Sequence, residues 1–176
     1  MKLWISAVVL ALAIAGSARA EVVDATPGGF EVRHDVQIAA PAVKVWAAMV
    51  QPATWWDPAH TWSGSAANLS LAAASGGCFC ERLPGGGSAL HMSTVFAAPG
   101  RKLVLSGALG PLMGSGAGGQ MVFGLAEADG ETTLTLTYDV GGYLRGGLDK
   151  IAAPVDGVLG QQVLRLKRQV ETGQPQ

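Results

Sequence analysis

From Asn68 onward the chain alternates short apolar-patterned runs with glycine- and proline-rich breaks, and it ends in one long helical stripe. The runs cover residues 68–74, 77–83, 88–97, 101–108, 120–128 and 131–141. Gly76-Gly77, the stretch from Pro84 to Gly87, Pro99-Gly100, the stretch from Pro111 to Gly119 and Asp129-Gly130 separate them. Consecutive strands therefore turn back on one another as an antiparallel meander. The stripe consists of Ile151, Val155, Val158, Leu159, Val163, Leu166 and Val170, backed by Arg165, Lys167 and Arg168.

Upstream, Phe30, Val32, Val36 and Ile38 recur at even spacing and predict a further strand. Pro41 suits the first turn of a helix carrying Val43, Trp46, Ala47 and Val50, which Pro52 closes. This order predicts an α+β fold: an antiparallel sheet of about seven strands wrapped around a long C-terminal helix, with short helices after the first strand. A helix laid on such a sheet either fills the space between them with side chains or leaves a cavity. Gly157 and Gly160 thin the helix and small residues are plentiful in the strands, so a cavity is expected.

The N-terminus has its own logic. Lys2, an apolar run from Leu3 to Ala15, and Ala18 and Ala20 flanking Arg19 form the pattern of a secretory signal, with cleavage expected after Ala20. A spanning helix needs about 20 apolar residues, and Gly16, Ser17 and Arg19 interrupt this run too early. The expected product is exported, periplasmic or secreted, with no stable membrane anchor. Residues 21–29 then read as a short leader, 30–171 as a single domain and 172–176 as a polar tail. Loss of Lys2 and Arg19 leaves 10 basic against 13 acidic side chains without basic runs. Nucleic acid and anionic membrane surfaces are therefore poor partners.

Several stretches carry a resemblance. They are Val36-Gln37-Ile38-Ala39-Ala40-Pro41 leading into Val45-Trp46, Trp55-Trp56-Asp57, Gly76-Gly77-Cys78-Phe79-Cys80-Glu81, and Arg101-Lys102-Leu103-Val104-Leu105. With the element order, they resemble the START-like, or SRPBCC, superfamily, whose helix-grip fold includes the birch pollen allergen, polyketide cyclases and Hsp90-ATPase-activator homologues. The resemblance covers nearly all of the chain after residue 20. It implies a cavity that binds apolar small molecules or lipids, in a minority of members with cyclisation, dehydration or hydrolysis inside it. No catalytic motif is carried over, and no cofactor is implied. Export argues against an Hsp90 role, because that machine is cytosolic. The Cys78-Phe79-Cys80 run departs from relatives that often have an aromatic or basic residue there.

The hairpin from Gly77 to Phe96 can be registered from its own patterning. Phe79 and Leu83 must share the apolar face with Leu90, Met92 and Phe96, which pairs 83 with 88, 80 with 91 and 79 with 92. Cys78, Cys80, His91 and Ser93 then lie on one face and Glu81 on the other. A carboxyl among Phe79, Leu83, Leu90 and Met92 would have its pKa raised by desolvation, which suits a general acid or base. The alternative is that Glu81 meets an arginine or sits in water at a cavity mouth.

Cys78 and Cys80 would be expected to pair in an oxidising compartment. In an extended strand, however, they stand about 6.6 Å apart, near the outer limit for a disulfide. A bond needs a bulge or strain; unpaired thiols, or a soft-metal site of Cys78, Cys80 and His91, are the other readings.

Asp57-Pro58-Ala59-His60 reads either as a turn or as a base, His60, with an orienting carboxylate. Gly114 to Gly119 fits a dinucleotide pattern by letter, but it leads into the alternation of Met121, Phe123 and Leu125 rather than a helix, so NAD and FAD are not implied. With Leu109, Pro111, Leu112 and Met113 it reads as a lid. The candidate catalytic residues are thus Glu81 and His60. Trp55 and Trp56, with Trp62 and His60, are expected either at the cavity mouth or, for the tryptophans, as packing between the first helix and the sheet; Phe79, Glu81, Leu90, Met92, Leu112, Met113, Val155 and Leu159 complete the expected ligand-binding set. Three functions fit: a binding or carrier domain for an apolar small molecule or lipid, a cyclase-, dehydratase- or hydrolase-type enzyme using Glu81 with His60 or His91, and an interaction module with a filled core.

Overall fold

The computed structural model describes residues 19–176, so the expected signal segment lies, through residue 18, outside the described residues. The even apolar spacing near residue 30 becomes strand β2 (Gly29–Ile38), with Phe30, Val32, His34, Val36 and Ile38 all buried. Residues 21–29, expected as a leader, instead lie in strand β1 (Arg19–Thr26), the turn at Pro27 and Gly28, and the first position of β2, and β1 pairs antiparallel with β2. Six further strands follow: β3 (Leu69–Leu71), β4 (Cys78–Arg82), β5 (Ser88–Ala98), β6 (Lys102–Gly107), β7 (Gly116–Ala128) and β8 (Glu131–Tyr143). The sheet order is β1-β2-β8-β7-β6-β5-β4-β3, with every neighbouring pair antiparallel. The meander thus runs backwards across the sheet, and β8 returns to pair with β2.

Strand β7 begins at Gly116 rather than at residue 120, which removes the glycine run from the expected lid. The reason is closeness: a Cβ on Gly119 would fall on the carbonyl oxygen of Asp139 and within 2.9 Å of the Tyr138 ring. These glycines let β7 lie against β8.

Helix α1 (Ala42–Met49) starts one residue after Pro41, which has extended backbone and caps the helix rather than joining it. Its buried side is Ala42, Val45 and Met49; Val43, expected on the apolar stripe, is 72% exposed. Helix α2 (Asp149–Thr172) uses its stripe in two ways. Leu159, Val163, Leu166 and Val170 are buried against the sheet, whereas Ile151, Val155 and Val158 are half-buried. Among the described residues no helix is long and apolar enough to cross a membrane.

Polar contacts fix how α2 lies. Lys167 Nζ donates to the Gln37 carbonyl at 2.6 Å, and Glu171 Oε1 accepts from Ala39 N at 2.8 Å. Nearer the middle, His34 Nε2 of β2 stands 3.1 Å from Asp156 Oδ1 of α2. Gly160 makes room for that histidine, since a Cβ there would come within 2.9 Å of His34 Cε1.

Candidate functional site

Between α1 and β3 the chain passes through single helical turns at Pro52–Thr54, Pro58–His60 and Ala66–Asn68. Helix α2 anchors the first part: Arg165 Nε donates to the Trp55 carbonyl at 2.9 Å, and Gln162 Oε1 accepts from Asp57 N at 2.8 Å. Asp57 Oδ1 accepts from Ala59 N at 2.9 Å, and His60 N donates to the Asp57 carbonyl at 3.0 Å. The Asp57–His60 stretch is therefore a turn, with the Asp57 side chain on its backbone rather than on the His60 ring. The indole N–H groups of Trp55 and Trp56 are satisfied by the carbonyls of Ala48 and His60. Rings then follow one another inward: Trp55 to Trp56 at 5.4 Å, Trp56 to Phe79 at 5.4 Å, and Phe79 to His91 at 5.1 Å between centroids.

The position of His91 departs from the regular register. Phe79 pairs with Met92, as expected, but Cys80 pairs with Leu90 and Glu81 with Ala89, leaving His91 as the extra residue of a bulge. The bulge turns His91 to the inner face beside Met92 and sends Leu90 outward, where it is 56% exposed. Past a second irregularity in β5, between Thr94 and Phe96, Phe96 is 50% exposed. Leu90 therefore lines nothing inside, and Phe96 is not on the apolar face. The expected grouping of His91 with the cysteines is also corrected. Cys78 and Cys80 form a disulfide with Cα atoms 5.4 Å apart, and His91 faces away from them, so no Cys78/Cys80/His91 metal site assembles.

What the bulge assembles instead is a buried pair. Glu81 is 1% exposed and His91 7%, and His91 Nε2 lies 3.0 Å from Glu81 Oε2. Two backbone donors complete the carboxylate: Trp62 N to Oε2 at 3.1 Å and Ser63 N to Oε1 at 2.5 Å. Burial pushes the Glu81 carboxyl up, but the hydrogen bonds from Ser63, Trp62 and His91 outweigh it and hold the group below its ordinary value. The expected upward shift is thus reversed. No arginine is needed, because main-chain N–H groups stabilise the charge.

His91 forms part of the wall of a cavity of about 380 Å³, within the range of small-molecule sites. Trp56, Trp62, Leu69 and Phe79 line the sheet side; Ile151, Pro154, Val155, Val158 and Leu159 line the helix side; and Leu109, Gly110 and Pro111 close one end. Trp62, 55% exposed, stands at the mouth with Ala59, His60 and Thr61. Of the expected ligand-facing residues, Trp56, Phe79, Val155 and Leu159 are on the wall, as is His60. Trp55 and Met92 are core residues behind it, Glu81 sits behind His91, and Leu112 is wholly buried in the turn Gly110–Leu112, which Met113 follows. The loop reaches the cavity through the residues before Leu112.

Sequence reasoning did not single out Tyr138. Its hydroxyl, buried under the sheet, accepts from Leu109 N at 3.3 Å and donates to the Gly107 carbonyl at 3.4 Å, tying down the start of that loop. Burial pushes its pKa up to about 12, so it stays a neutral donor. His34 was equally unmarked, because a histidine within an apolar alternation carries no local signal of its partner on a distant helix.

Comparison with known proteins places the architecture. No protein-family model matches the chain, and no curated protein matches its sequence. Solved structures do: the Aha1 dimer from Colwellia psychrerythraea aligns over 81% of this chain and 97% of its own with a TM-score of 0.57 at 19% identity. CalU16 from Micromonospora echinospora aligns over 91% of this chain and 78% of its own, with a TM-score of 0.53 at 17% identity. DynU16, from the dynemicin biosynthetic locus, gives a TM-score of 0.59 at 24% identity over 82% of this chain, which spans about half of DynU16 (48%). The chain shares their fold, the helix-grip arrangement of an antiparallel sheet and a long C-terminal helix.

Proposed function

We propose that the chain is an exported binding domain that carries an apolar small molecule or lipid in the cavity between its sheet and α2. The supporting observation is the wall: aromatic and aliphatic side chains make up most of it, His60 and Thr61 stand at the mouth, and among the described residues His91 is its one deeply buried polar side chain. Such a surface binds by excluding water, at roughly 25 cal/mol for each Å² of apolar area covered. An interaction module with a filled core has no such space.

Native mass spectrometry of protein purified from its own host tests the reading. The expected result is a co-purifying apolar molecule that is absent from a Val155→Trp variant, whose indole occupies the cavity. A folded wild-type protein that is empty and takes up no apolar probe overturns it. Export is tested by the mass of the same protein, which is expected to begin at Glu21.

The Glu81–His91 pair favours a second reading, an enzyme of the cyclase, dehydratase or hydrolase kind. A histidine oriented by a buried carboxylate is the arrangement of many general bases. Conversion of the co-purified molecule by wild type, and its persistence with Glu81→Gln protein, would select the enzyme over the carrier.

A further inference from the structure

Resting on the cavity reading above, we propose that the site selects ligands bearing a hydrogen-bond-donating hydroxyl, phenolic or alcoholic, on an apolar body, with the hydroxyl donating to His91 Nδ1. The argument begins at Glu81. A carboxylate only accepts hydrogen bonds, and this one is surrounded by donors: Trp62 N, Ser63 N and His91 Nε2. The proton of a neutral His91 is therefore on Nε2, which leaves Nδ1 bare and accepting.

Among the described residues no group bonds Nδ1; the ring's hydrogen bond is made through Nε2. The buried side-chain atoms that make no hydrogen bond, among the described residues, are His34 Nε2 and Asp156 Oδ1, which face each other as an ion pair, and Asp149 Oδ1 and Gln162 Nε2. Nδ1 is not one of them, so it retains accessible surface. The ring is in the cavity wall and the residue is otherwise buried, so that surface belongs to the cavity. The other polar side chains of the lining, His60 and Thr61, stand at the mouth, so among the described residues the deep, apolar end of the chamber offers one side-chain acceptor and recognises one donor. A carboxylate placed there would offer no proton to Nδ1 and would bring a second negative charge towards Glu81, in a space where charge is poorly screened. The site thus separates hydroxyl compounds from fatty-acid-type anions entering head first, and from ethers of the same shape.

Three fluorescent probes of one flat body test this: hydroxypyrene, methoxypyrene and pyrene carboxylate, substituted at the same ring position. Wild type is expected to bind hydroxypyrene about tenfold more tightly than methoxypyrene, the worth of one good hydrogen bond, and pyrene carboxylate more weakly still. His91→Phe keeps a ring in the wall and is expected to bind hydroxypyrene and methoxypyrene equally. Its methoxypyrene affinity also reports that the variant is folded. Nitrogen NMR of the wild-type His91 ring in mildly alkaline buffer gives a check without any variant, with a protonated Nε2 and a bare Nδ1 expected. Equal affinities in wild type, tightest binding of the carboxylate, a hydroxyl preference that survives His91→Phe, or the opposite tautomer would each overturn the proposal. Failure of all three probes to bind would instead overturn the cavity reading beneath it.

Discussion

Gly157 and Gly160 look alike in the sequence and have opposite roles in the structure. Nothing lies within 4 Å of a Cβ built on Gly157, so Gly157→Ala is expected to stabilise the protein by about 0.5–1 kcal/mol, the helix-propensity difference. At Gly160 the added methyl meets the buried His34 ring, and Gly160→Ala is expected to destabilise by roughly 1–3 kcal/mol, as overpacking does. Urea unfolding of the two variants measures both; a shared sign would show that Gly160 does not cradle His34. Glu81 teaches a related lesson. Its inward direction was legible from Phe79 and Leu83, but its charge state was not, because two of its donors come from the main chain of Trp62 and Ser63, 18 or 19 residues earlier. Side-chain patterning carries no trace of a loop's N–H groups.

Among the elements, the strands of the meander and the stripe of α2 follow from periodicity, except that β7 starts four residues early, at Gly116, and the N-terminal half of the stripe is only half-buried. The bulge at His91 does not follow, since a period of two has no mark for an extra residue. The disulfide gives it a physical context. By joining residues on either side of Phe79 it holds their Cα atoms 5.4 Å apart, against about 6.6 Å in an extended strand. Strand β4 is shortened where β5 carries its extra residue. Replacing both cysteines by serine is expected to cost on the order of 1–2 kcal/mol, the value of closing so small a loop. It should also let β4 relax towards the regular register, turning His91 outward and breaking its contact with Glu81. Hydrogen exchange at residues 89–93 and the His91 ring resonances report this, and unchanged signals would show that the bulge persists without the bond.

The whole molecule is expected to lose stability in acid in two stages. Burial, only partly offset by Asp156 and Asp35, holds the His34 imidazole below its ordinary value of 6.5. The unfolded chain therefore takes up that proton first, so stability is complete above pH 6.5 and declines below it until the folded form is protonated too. Glu81 and Glu171 are both held below the ordinary 4.5, so their contribution is complete above that pH and is lost as the pH falls towards their folded values. Thermal unfolding across this range is expected to show both stages. His34→Gln should remove the upper one, and Glu81→Gln should shrink the lower one while Glu171 sustains the rest. A single stage in wild type would count against the His34 assignment.

The pairing of β2 with β8 also orders events in time. Gln37 reaches Thr133 across 96 positions of sequence, and α2 comes later still. The seam of the sheet therefore cannot close, nor the helix dock, until nearly the whole chain has been synthesised, and contacts so distant in sequence form slowly. A partly synthesised chain can pair β4 to β7 with one another but leaves the edge of β2 without its β8 partner.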